Sequence, residues 1–128
     1  MTPYSPLSNQ NNDLTTIYDD PNEKLTIVRG SVEHKDFFAS VLRLRADAYK
    51  MPQVADEMDS YSDLYILAKD DKPVATMRAT KAKHGKIECE EYYPQELLSE
   101  YRDMAATATR FARARTEASN PLLMALLI

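Results

Sequence analysis

Glycine is nearly absent from this sequence. Gly30 and Gly85 are the only two in 128 residues, where an average chain of this length carries about nine. Backbone amides can approach a phosphate only where no Cβ stands in the way, so phosphate loops need clustered glycines. Walker-type and dinucleotide-binding fingerprints are excluded on that count. Cysteine is scarcer still. Cys89 stands alone, which rules out a disulfide within the sequence and gives no sign of an oxidising compartment. Tryptophan is missing, and His34 and His84 lie too far apart to give a metal-ligand spacing. The longest apolar run, Leu122 to Ile128, is far too short to span a bilayer. The polar, proline-broken stretch from Met1 to Asn12 is unlike a signal peptide. The expected location is cytoplasmic.

What is present is ordinary for one globular domain: 44% apolar and 28% charged residues. The net charge of −4 is unevenly placed. Residues 1–23 hold Asp13, Asp19, Asp20 and Glu23 with no Lys or Arg, so the rest of the chain is neutral. That first stretch, rich in Asn, Ser, Thr and Pro, reads as a disordered acidic leader, and the domain is expected to occupy residues 24–128. Arg102, Arg110, Arg113 and Arg115 form a local basic excess. A nucleic-acid binder shows a broader basic bias, so no nucleic acid is expected as a partner.

Hydrophobic periodicity sets the expected elements. Leu25 to Arg29 alternates as a short strand ended by Gly30. Ser31 is placed to cap a helix whose apolar positions Phe37, Phe38, Val41, Leu42, Leu44, Ala48 and Tyr49 recur every three or four residues until Pro52. An acidic loop with Asp56, Glu57 and Asp59 leads to strands over Leu64–Lys69 and Val74–Thr80, joined by a turn at Asp70–Pro73. In the second, Val74, Thr76, Arg78 and Thr80 share one face. A further strand is expected over Ile87–Tyr92, a short helix after Pro94, a strand over Ala105–Arg113 and a helix beginning at Leu122. Consecutive strands with short turns imply an antiparallel sheet with helices packed on it, an α+β arrangement.

Charge falls where packing alone would not ask for it. Arg45 lies beside the apolar face of the long helix, Arg78 sits mid-strand and Arg110 precedes Phe111 in the last strand. Buried arginines need carboxylates, so two acids of the loop, Glu57 and Asp59, and these three arginines are expected to form one network at the sheet end. The same pattern also suits a purely structural tie between loop and sheet.

These residues resemble a known family. Asp56-Glu57-Met58-Asp59-Ser60-Tyr61-Ser62 resembles the E-x-D-x-Y-D segment of acyl-homoserine-lactone synthases and the related N-acyl amino acid synthases. Arg45-Ala46-Asp47-Ala48-Tyr49 is similar to their helical R-x-x-x-[FY] element, and Arg78-Ala79-Thr80 to their R-x-T strand. Tyr92-Tyr93-Pro94 with Leu97-Leu98 is similar to the aromatic-proline step that follows, and Thr107-Ala108-Thr109-Arg110-Phe111 to their E-x-[ST]-R-F strand.

The resemblance implies a GNAT-like acyltransferase fold and transfer of a fatty acyl group to the amine of an amino acid or similar small molecule. The donor would be a thioester of acyl carrier protein or CoA, used as co-substrate, with no tightly bound cofactor and no metal. It implies Glu57, Asp59, Arg78 and Arg110 as catalytic positions and Arg45, Tyr49, Thr80 and Thr107 as substrate-binding ones. The chain departs from the pattern in Ser62 for the last acid, in Thr107 for a glutamate and in lacking tryptophan; the last two departures place it nearer the amino acid synthases.

Two further expectations concern the end of the sequence. Arg113-Ala114-Arg115-Thr116-Glu117-Ala118 stands where CoA-dependent members carry [RQ]-x-x-G-x-[GA], and its arginines suit the acidic surface of a carrier protein. The bare apolar run at 122–128 suggests a domain truncated after its fourth family strand, inactive as a fragment. The alternative is a non-catalytic GNAT-derived binding module that pairs with another chain through that helix.

Overall fold

The computed structural model describes residues 14–51 and 54–114. The helix expected from Leu122, residues 115–118 of the [RQ]-x-x-G-x-[GA] position, Pro52 and the first part of the leader lie outside the described residues.

Five strands form one open antiparallel sheet in the order of the chain: β1 (Thr15–Asp20), β2 (Leu25–Gly30), β3 (Asp63–Lys69), β4 (Lys72–Lys81) and β5 (Ala106–Arg113). Two α-helices accompany it, α1 (Lys35–Tyr49) and the short α2 (Gln95–Tyr101). The architecture is α+β. Phe37 and Val41 of α1 bury themselves against Val28, Leu64 and Ile66 on one face of the sheet. Leu25, Ile27, Leu67, Ala75 and Met77 form a second buried cluster, joined by partly buried Tyr65, Ala79 and Phe111. A third, smaller cluster of Ala82, Ile87 and Leu98 anchors the segment around α2.

Four expectations need correction. Residues 15–20 are not disordered but form β1, paired with β2 through Asp20↔Leu25 to Thr15↔Arg29. Its side chains are nearly all exposed, so it carries no apolar period, and backbone pairing at the sheet edge holds it instead. Its turn is nonetheless encoded: the Asp20 carboxylate accepts from the backbone N–H groups of Asn22 and Glu23. Second, Ile87–Tyr92 is not a strand. Cys89 takes a left-handed backbone (φ 63°) that breaks the extension, and Glu90–Tyr92 coils into one 3₁₀ turn. Third, Ser31 does not cap α1. The helix starts later, after His34, whose Nδ1 accepts the Ser31 N–H at 3.1 Å.

Fourth, Val74 leaves the face of Thr76, Arg78 and Thr80 and joins the cluster of Leu67 and Met77. Pairing jumps from Leu67↔Ala75 to Ala68↔Pro73, so Val74 is the extra residue of a bulge. Proline cannot donate to a ladder, and a bulge next to it is the usual accommodation.

Both glycines sit where a ring lies on the backbone. A Cβ at Gly30 would stand 2.8 Å from the Phe37 ring, and one at Gly85 would stand 2.6 Å from the Tyr61 ring. Elsewhere the chain uses other residues in left-handed conformations. Lys50 closes α1 at φ 56°, and Asp70 and Asp71 both have positive φ in the two-residue β3–β4 turn.

Candidate functional site

The site begins with the 3₁₀ turn Glu57–Tyr61. Asp56 accepts the N–H of Met58 at 3.0 Å, and Asp59 accepts the N–H of Asp56 at 3.0 Å. These reciprocal bonds orient both carboxylates from within the turn itself. Asp59 then turns into the protein, where it is 2% exposed.

Arg45, wholly buried on α1, forms a bidentate pair with Asp59, both bonds at 2.9 Å, and donates to the Val54 carbonyl at 3.0 Å. Arg78, equally buried on β4, reaches Asp56 at 2.5 Å, Asp59 at 3.2 Å, Glu88 at 3.1 Å and the Thr109 hydroxyl at 3.3 Å. Arg110 on β5 donates to Asp56 at 2.9 Å and lies 3.5 Å from Glu88. Three guanidinium groups therefore meet three carboxylates. Charges buried this deeply are tolerable only because each has an opposite partner.

Strand β5 delivers Arg110 by a bulge. Arg78 pairs with Thr109 and Thr76 with Ala112, so Arg110 and Phe111 together oppose Met77. Arg110 takes φ 56° there, a left-handed conformation that costs a non-glycine residue on the order of 1–2 kcal/mol. It turns the guanidinium onto the face of Thr109 and Arg78. The Phe111 carbonyl, displaced from the ladder, accepts the Tyr49 hydroxyl at 2.5 Å.

The electrostatics follow from this geometry. Burial pushes the Asp56 carboxyl up, but hydrogen bonds from Arg110 and Arg78 outweigh it and hold the group below the usual carboxylate range. Burial likewise raises Asp59, while the Arg45 bonds and the Asp56 N–H bring it below that range. Burial works to lower Arg110, yet the Asp56 bond and the nearby Glu88 raise it, so it stays protonated. Burial raises the Tyr49 hydroxyl despite Arg45 and Arg110 beside it, so it remains a donor.

Arg45, Asp59, Arg78 and Arg110 thus converge as the sequence suggests, and Tyr49 braces the bulge. Thr80 is buried and shares a hydrogen bond with Ser62 at 2.7 Å, so that pair is spent within the core. Thr107 faces across from Thr80 on β5 but stands apart from the ion pairs. Glu57 is not part of the cluster. It is exposed on the outer side of the 3₁₀ turn, and Asp56 supplies the carboxylate in its place. Glu88 is the member that sequence reading missed. Assigning residues 87–92 to a strand hid it, although its place in a short acidic segment after the Gly85 turn was a usable signal.

Arg45, Asp59 and Arg78 form an inner layer closed to solvent. Asp56, Glu88 and Arg110 form an outer rim, 30%, 29% and 35% exposed. A rim with both signs of charge can hold an ammonium group on its carboxylates and a carboxylate on its guanidinium. Among the described residues no group of His, Cys, Asp and Glu is arranged to hold a metal ion, and no helix is long and apolar enough to cross a membrane. Compared with family models, with curated proteins and with solved structures, the chain matches none.

Proposed function

We propose that this chain is a GNAT-like N-acyltransferase domain resembling the N-acyl amino acid synthases. Its reaction would move a fatty acyl group from an acyl carrier protein or CoA thioester to the amine of an amino acid or similar small molecule. One observation carries the reading. Residues from separate resemblance elements, Arg45 on α1, Asp59 in the loop, Arg78 on β4 and Arg110 on β5, join through shared carboxylates in one network.

In this reading the inner layer fixes the rim, and the rim orients the amine. A neutral amine attacks the thioester carbonyl, the thiol leaves and the amine loses a proton. Asp56 and Asp59 are held below the usual carboxylate range and are therefore weak bases at neutral pH. Their role is orientation and charge balance, with the proton passing to water. Arg113 and Arg115 would suit the acidic surface of a carrier protein.

The test incubates the purified, folded protein with acyl carrier protein bearing a long-chain acyl group and a mixture of amino acids, followed by mass spectrometry. N-acyl amino acids are expected, with a lower yield from Arg110→Gln. Absence of product from protein with intact circular dichroism overturns the catalytic reading. A second reading, a non-catalytic GNAT-derived binding module, is favoured by an inner layer closed to solvent and by Thr107 where a carboxylate would serve. It expects no product and a stability loss alone on breaking the network.

A further inference from the structure

Strand alternation gives the sheet two faces, and each carries a buried apolar cluster. On one, Val28, Leu64 and Ile66 are covered by Phe37 and Val41 of α1. On the other lie Leu25, Ile27, Leu67, Ala75 and Met77, set side by side by the pairings Ile27↔Leu67, Leu67↔Ala75 and Tyr65↔Met77. Val74 of the bulge joins them. Every described member of this second cluster, buried or partly buried, comes from a strand. Among the described elements α1 packs across the sheet, and it lies on the opposite face.

The second face is nonetheless closed to water. Leu67 and Ala75 are 0% exposed, and Ile27, Val74 and Met77 are 7%, 7% and 9% exposed. Side chains stand roughly perpendicular to a sheet, so their outer ends stay open to solvent unless another layer lies about 10 Å above. These are the exposures of one chain by itself. The covering layer therefore belongs to this chain.

Three stretches lie outside the described residues: 1–13, 52–53 and 115–128. Residues 52–53 follow α1, on the wrong face, and are too few. Residues 1–13 lead into Leu14, which packs with Val28 and Phe37 on the α1 side, and their large apolar side chains are only Met1, Tyr4 and Leu7. Residues 115–128 follow from the second face itself. Arg113 pairs with Ala75, and the Ala114 N–H donates to the Val74 carbonyl at 2.8 Å. This stretch carries Leu122, Leu123, Met124, Leu126, Leu127 and Ile128. From β5 to β2 the sheet order leaves three strand spacings, about 14 Å. Residues 115–121, advancing up to about 3.3 Å each, are long enough to cross it.

We propose that the sheet face opposite α1 is the docking surface of residues 122–128 of the same chain. Leu25, Ile27, Leu67, Val74 and Met77 form its floor. The apolar run is then consumed inside the fold and is not a handle for a second protein. The assignment holds with or without acyl transfer.

The experiment records methyl NOEs by NMR on the full chain with labelled Ile, Leu, Val and Met. Cross-peaks are expected between methyls of residues 122–128 and those of Ile27, Leu67, Val74 and Met77. Isotope-filtered spectra on a mixture of labelled and unlabelled chain should show none of these contacts between molecules. Leu123→Glu combined with Leu126→Glu puts charge into the run. Fluorescence of a hydrophobic dye should then rise several-fold, and methyl shifts should change at Ile27, Leu67 and Met77 more than at Val41 and Ile66. Tyr4→Glu combined with Leu7→Glu should change neither. Contacts seen only between molecules would assign the face to a second copy and overturn the proposal. So would contacts from residues 1–13 in place of 122–128, no contact from 122–128 to this face, or a charged run that leaves dye and shifts at the parent values.

Discussion

Tyr49 and Phe111, 62 residues apart, are joined by a hydrogen bond from the tyrosine hydroxyl to the phenylalanine carbonyl. The bond ties the last turn of α1 to the bulge of β5. A bulge removes a carbonyl from the ladder, and a displaced carbonyl that is partly buried needs another donor. Tyr49 is that donor, and Arg45 one turn earlier on the same helix binds Asp59. Helix α1 thus supports the charged cluster at two points.

Tyr49→Phe keeps the ring and removes only the donor. A lost hydrogen bond of this kind costs about 1 kcal/mol, more where the acceptor stays buried. The urea midpoint should fall accordingly, and amide exchange in residues 109–112 should accelerate more than in β2 or β3. An unchanged midpoint would mean that the bulge holds itself and that the helix contributes nothing to it.

Asp59→Asn tests the inner layer. Asp59 is shared by two wholly buried arginines, so losing its charge leaves them undercompensated, at a cost of about 3–5 kcal/mol. Glu57→Gln, two residues earlier and exposed, should stay within about 0.5 kcal/mol of the parent. Denaturant titration of both variants decides between the two carboxylates. Equal effects would undo the replacement of Glu57 by Asp56 in the cluster.

The legible parts of the fold were those with strong side-chain signals. The α1 stripe from Phe37 to Tyr49, the strands around Leu64–Lys69 and Val74–Thr80, and the arginines mid-strand each advertise burial through residue type. Strand β1 did not, because an edge strand with exposed side chains is held by backbone bonds that leave no trace in hydropathy. Glu88 was obscured for a related reason: the left-handed turn at Cys89 occurs at a residue that rarely adopts it. Asp56 was displaced in the reading by its neighbour Glu57, since motif spacing ranks residues by identity. Which of two adjacent acids turns inward is set by the 3₁₀ turn.

Stability should fall in acid through Asp56 and Asp59. Both have folded pKa values below the unfolded value, so the unfolded chain binds more protons and stability rises with pH through this range. Their contribution is fully present above the unfolded carboxylate pKa of about 3.9 and is lost as pH falls through the lower folded values. Urea midpoints measured from neutral pH into this window should drop steeply. Asp59→Asn should flatten part of that slope. A variant with the parent slope would show that the acid sensitivity arises elsewhere.

The two glycines and the left-handed positions make opposite predictions for one residue type. Gly85→Ala places a Cβ 2.6 Å from the Tyr61 ring, and Tyr61 cannot retreat freely because its hydroxyl donates to the Lys86 carbonyl at 2.6 Å. Overpacking of this kind costs about 1–3 kcal/mol. Lys50→Gly goes the other way. Lys50 ends α1 at φ 56° and ψ 43°, where glycine carries no Cβ penalty, and a net gain of about 0.5–1 kcal/mol is expected after the entropy of the unfolded glycine is counted. Thermal melts of the two variants should therefore shift in opposite directions. A destabilised Lys50→Gly would mean that the lysine side chain makes contacts worth more than the strain it bears.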